Sequence, residues 1–140
     1  MIYQQNTFGG DVAQIDETDG DKIVAREPLA PARSHFHAID TATMEEIWRV
    51  DLPGQIEHFE ASPDKRFVYN AHYDRKVVSK VDTQTREVTL INIANLGGHK
   101  VRVSRDGKKV YVGSIVWCSF DEIDTETDEW TRARTFDDNV

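Results

Sequence analysis

Cysteine is almost absent: Cys118 is the single one in 140 residues, so no internal disulfide forms and the paired spacing of a structural zinc site is missing. A lone cysteine leaves the redox compartment open, and its expected role is that of a packed side chain. Long apolar runs are also lacking, since no stretch approaches the about 18 uninterrupted apolar residues of a membrane span. Met1 to Phe8 has neither the basic start nor the apolar run of a signal peptide. The sequence therefore predicts a soluble chain without an address and without membrane insertion. Positive charge is in short supply, with 17 basic against 25 acidic residues and a net charge of −8 spread along the chain. Nucleic acid and anionic membrane are poor partners for such a surface. A phosphate-binding glycine loop, a nucleophile elbow and a His-Glu-x-x-His stretch are all absent, which removes the motif-borne nucleotide, hydrolase and metalloprotease chemistries.

What is present is a repeat. Asp-Thr-x-Thr-x-Glu stands at Asp40 to Glu45, Asp82 to Glu87 and Asp124 to Glu129, in steps of 42 residues. The same step carries Ser62-Pro63-Asp64 before Phe67-Val68-Tyr69 onto Ser104-Arg105-Asp106-Gly107 before Lys109-Val110-Tyr111. A period of this length marks a four-stranded blade that buries its faces only against its neighbours. Alternating, β-branched stretches such as Val77 to Val81 and Arg86 to Ile91 read as strands, too short for helices. The reading is all-β, three four-stranded antiparallel β-propeller blades: residues 1–11 a leading strand or tail, 12–53 the first blade, 54–95 the second, 96–140 the third. In the second blade the expected strands are Glu57 to Ala61, Arg66 to Ala71, Lys76 to Val81 and Glu87 to Ile93. In the third they are Lys100 to Val103, Lys109 to Ser114, Cys118 to Ile123 and Glu129 to Phe136. The first blade is less regular, with Lys22 to Ala25, Phe36 to Ile39 and Glu45 to Leu52 as its recognisable strands and a two-proline connection at 27–33.

Ser-Pro-Asp-x-x-x-Val-Tyr combined with Ile-Asp-Thr-x-Thr resembles the YVTN-type β-propeller repeat, over most of residues 12–136. Val68-Tyr69-Asn70-Ala71 and Val110-Tyr111-Val112-Gly113 depart from the usual Tyr-Val-x-Asn, and the first blade has no such tyrosine. The resemblance implies the fold. It spans surface-layer proteins, periplasmic binding proteins and scaffolds of redox enzymes, so a periplasmic or extracellular location is implied by resemblance only.

The hexapeptide ends each third strand where the chain reverses, and three identical copies there point to three identical turns rather than to a carboxylate site. Antiparallel order then sends the repeated turns to one face and the variable connections to the other. All five histidines fall in or beside those variable connections, together with Trp117 and Cys118. The metal-ligand candidates are His58 and His99 near the axis, with His72 and His37 further out. Imidazole suits copper and other transition metals, and propellers with axial histidines resemble copper oxidoreductase scaffolds. Packing of these histidines between blades is the competing reading. Trp48 and Trp130 are expected to pack, and Asp121 and Glu122 point to opposite strand faces.

Propellers close with about four to eight blades, so three require more: further blades from the same or another chain, as a homo-oligomer or as a fragment of a longer polypeptide. The favoured function is a non-catalytic binding or assembly scaffold using its variable-loop face. The alternative is a subunit of a copper-type redox enzyme or of a lactonase-like hydrolase using the histidine-bearing face.

Overall fold

The computed structural model describes residues 2–8, 15–19, 22–25 and 33–135. Every element among them is a strand: β1 (Ile2–Phe8), β2 (Ile15–Asp19), β3 (Lys22–Ala25), β4 (Arg33–Ile39), β5 (Glu46–Pro53), β6 (Ile56–Ala61), β7 (Phe67–His72), β8 (Val77–Asp82), β9 (Val88–Asn92), β10 (Gly98–Val103), β11 (Lys109–Ser114), β12 (Ser119–Asp124) and β13 (Glu129–Thr135). They divide into two compact units, Met1–Gln55 and Ile56–Val140.

The second unit holds two four-stranded antiparallel meanders, β6-β7-β8-β9 and β10-β11-β12-β13. Their strands lie close to the expected stretches, except that β10 starts at Gly98; the expected end at Phe136 lies outside the described residues. Period-two alternation decides which faces meet. On β11, Val110, Val112 and Ser114 are buried while Lys109, Tyr111 and Gly113 are only half-buried. The apolar layer between the blades comprises Tyr69, Ala71, Val78, Ile91 and Ile93 of one and Val101, Val110, Val112 and Ile123 of the other. Full burial of a Val or Ile contributes about 1.5–3 kcal/mol, and neither blade could bury these faces alone.

The hexapeptide builds the same turn three times. Oδ1 of Asp40 accepts the N–H of Ala42 and Thr43, Oδ1 of Asp82 those of Gln84 and Thr85, and Oδ1 of Asp124 those of Glu126 and Thr127. These bonds help hold all three carboxyls below their ordinary range. In each copy the fifth residue takes a positive φ: Met44 at 61°, Arg86 at 71° and Asp128 at 56°. The Ser-Pro-Asp turn closes through Lys65 N–H to Ser62 O at 2.8 Å, and its counterpart through Gly107 N–H to Ser104 O at 2.9 Å.

The first unit departs from the repeat. Its sheet runs β1-β4-β5, so the strand beside β4 is Ile2–Phe8, with Ile2 opposite Ile39 and Phe8 opposite Arg33. Repeat spacing puts Lys22–Ala25 there; that strand pairs instead with Ile15–Asp19 in a separate hairpin. β1 and β4 pair along all seven of their residues, whereas β3, with four, pairs with β2. Most of the proline-containing connection at 27–33 lies outside the described residues. Trp48 packs on Phe36 with ring centroids 6.1 Å apart.

Candidate functional site

β6 and β10 lie side by side as the first strands of neighbouring blades, and each begins with a register shift, between Ile56 and His58 and between Gly98 and Lys100. Glu57 and His99 are the extra residues, one repeat apart, and such a bulge re-aims the side chains around it. His99 Nδ1 stands 3.7 Å from Glu57 Oε2. His58 follows on β6, and its Nδ1 is buried without a hydrogen-bond partner. Burial, then the charges of Lys100 and Arg102, push the His58 imidazole below its ordinary value, with Glu60 opposing and His99 adding a little. A neutral imidazole with an unspent buried nitrogen is the ligating form of histidine. Glu60 fixes the neighbouring cation, its Oε1 receiving Arg102 Nη1 at 3.2 Å. Lys100 is exposed.

The other candidates are placed differently. His72 ends β7 fully buried, its Nε2 3.0 Å from Ser79 Oγ on the adjacent strand of its own blade. Its backbone meets β10 so closely that a Cβ on Gly98 would sit 3.1 Å from His72 O. His37 belongs to the first unit, where its Nδ1 contacts Glu46 Oε2 at 2.5 Å, beside His35 on Asp51. Both residues lie within β4 rather than in a connection, because that strand begins at Arg33. Among the described residues, no group of three or more His, Cys, Asp or Glu side chains gathers as a metal site.

Sequence reasoning paired His58 with His99 and missed Glu57, Glu60, Lys100 and Arg102. Subtracting the 42-residue period finds them, for it matches Glu57 to His99, His58 to Lys100 and Glu60 to Arg102. Cys118 corrects an expectation: it is exposed, at a φ of 44°, in the turn after β11 rather than packed. That turn and its neighbours display Tyr73, Leu96, Ile115, Val116 and Trp117 to solvent at the loop end. Asp121 and Glu122 are buried and structural, Asp121 accepting Trp130 Nε1–H at 2.8 Å and Glu122 pairing with Arg132 at 2.8 Å.

No protein-family model and no curated protein matches the chain. A solved structure that resembles it is "Dihydro-heme d1 dehydrogenase NirN in complex with DHE", with a TM-score of 0.63 and 26% identity over 75% of this chain. The blades are those of a β-propeller. The chain spans 23% of that structure's chain. No helix of the described residues is long and apolar enough to cross a membrane.

Proposed function

We propose that the chain is a run of propeller blades that works as a binding scaffold through the loop end of its inner strands, and that its ligand is an anionic macrocycle of the heme class. The observation that carries this reading is the unpartnered, neutral His58 beside His99, Lys100 and Arg102 on β6 and β10. The likeness to a dihydro-heme d1 dehydrogenase in complex with DHE supports the ligand class. A bare transition-metal ion such as copper takes several protein ligands, whereas the described residues gather no group of three. His58 or His99 would be the residue that holds the metal of such a macrocycle. Such a group would supply redox chemistry when bound, and this chain would hold it through His58, with Lys100 available to pair with a carboxylate. Hemin is the probe: a saturable shift of its visible absorption is expected, with affinity falling about tenfold or more in His58→Ala. An unshifted spectrum at saturating protein rejects the reading.

Further blades, from the same or another chain, complete the ring in this proposal. Tyr69 and Val78 are buried against the β10–β13 blade, while their counterparts Tyr111 and Phe120, in edge contact at 6.2 Å, are only half-covered. Kinship with the YVTN-type repeat belongs to the proposal and rests on the motifs. Native mass tests closure: an assembly larger than the 16.0 kDa chain is expected, and a monodisperse monomer argues against it.

A further inference from the structure

At the opposite, turn-bearing end of the second unit, the two copies of the Ser-x-Asp turn face each other across a cavity of about 240 Å³. They come close there, a Cβ on Gly107 lying 3.4 Å from Pro63 Cδ. We infer that this cavity is a site for an organic cation, the guanidinium or ammonium head of a basic side chain from a partner protein. The inference is independent of the ligand proposed for the inner strands.

Tyr69 lines the cavity from within the blade interface. Its side chain is 1% exposed, yet its hydroxyl makes no hydrogen bond with the described residues. Burial, then the carboxylates of Asp128 and Asp64, push its pKa up, so it remains a neutral hydroxyl whose oxygen accepts an N–H. Asp64 and Asp106 flank it, and Oδ1 of each is bonded within its own turn. Asp64 Oδ1 accepts Ser62 Oγ–H at 2.5 Å and Arg66 N–H at 3.1 Å. Asp106 Oδ1 accepts Ser104 Oγ–H at 2.6 Å and Lys108 N–H at 3.1 Å. Oδ2 of each carboxylate takes none of these four bonds. Of the nearby cations, Lys80 pairs with Asp128 at 2.7 Å and Arg66 with Asp82 at 3.1 Å, while the charges of Arg66 and Lys108 also help lower Asp64 and Asp106.

The wall decides the class of cation. A hard metal ion takes about six to eight oxygen ligands, which this site does not assemble. Phe67 in that wall already receives cations of the chain itself, Lys80 Nζ at 4.2 Å and Arg66 Cζ at 5.4 Å from its ring centroid, and Pro63 offers the apolar edge against which a cation on an alkyl stem lies. A net charge of −8 steers such a partner toward the chain.

Amide NMR of the full chain, titrated with N-acetyl-arginine amide, tests the site, with N-acetyl-citrulline amide as its neutral isostere. Saturable shifts at Lys65 and Gly107 with the arginine probe alone are expected. A double variant, Asp64→Asn with Asp106→Asn, keeps each Oδ1 acceptor and should bind about tenfold more weakly. Tyr69→Phe removes only the hydroxyl and should also weaken binding, which keeps the test decisive if the double variant unfolds. Equal shifts with citrulline, no saturation, or unchanged binding in Tyr69→Phe overturns the site. Tighter binding of a Gly-Arg-Gly peptide than of the free amide supports a protein partner; equal affinity overturns that partner and assigns a free small cation.

Discussion

Glu60 on β6 accepts the N–H of Val103 on β10 through Oε2 at 2.7 Å. With its other oxygen on Arg102, this carboxylate joins one blade to the next at a single repeat's distance. Glu60→Ala leaves the Val103 amide without that acceptor and is expected to cost about 1–3 kcal/mol. Glu60→Gln retains an oxygen for the amide and should cost less. Urea midpoints at unchanged slope measure both; equal midpoints for wild type and Glu60→Ala contradict the assignment.

Lys65 and Gly107 occupy the same turn position, at φ of 61° and 74°. Relief of left-handed strain is about 1–2 kcal/mol, offset by about 0.5–1 kcal/mol for glycine's greater freedom when unfolded. Lys65→Gly should therefore stabilise by about 0.5–1 kcal/mol. Calorimetry reads it as a raised Tm, and a lowered Tm refutes it.

Core and surface positions should separate cleanly. Ile123 is fully buried between the blades, and Ile123→Ala is expected to cost about 2–5 kcal/mol. Leu90 is 50% exposed, and Leu90→Ala should stay within about 0.5 kcal/mol. Equal losses in the two variants would sink the assignment of faces.

Acid should act in two stages. His58 has a folded pKa below its ordinary 6.5, so the unfolded chain takes up this proton first, and stability falls as pH drops from 6.5 to the lowered folded value. The turn carboxylates Asp40, Asp64, Asp82, Asp106 and Asp124 are depressed below 3.8 in the folded chain. Their contribution is complete above 3.8 and is lost as pH falls through the depressed values. Stability measured against pH should show both stages, and His58→Asn should erase the upper one alone. A single stage in the wild type contradicts this.

Legibility followed repetition. Strands β6 to β13 and their turns could be read because Asp82 and Asp124, or Ser62 and Ser104, recur at a fixed step, and local hydrogen bonds dictate each turn. The pairing of β1 with β4 was not legible. It is a long-range choice between two candidate partners, and no local motif marks it. At the inner strands the histidines drew attention by residue type, while the bulges that set Glu57 against His99 leave no mark in composition. His72 stands at a strand end by sequence, and its packing against Ser79 is a tertiary contact that no motif marks.

The two blades of the second unit touch at three heights: Gly97 N–H on Tyr73 O at one end, Glu60 on Val103 between, and Lys80 Nζ on Asp128 toward the other. Pinned at three levels, the pair has no free axis about which one sheet could swing against the other. It should respond to load as a single plate, without the hinge that lets domains clamp a guest. Whatever enters at either rim must then fit the opening as built, and selectivity there would come from side-chain rotamers rather than from closure.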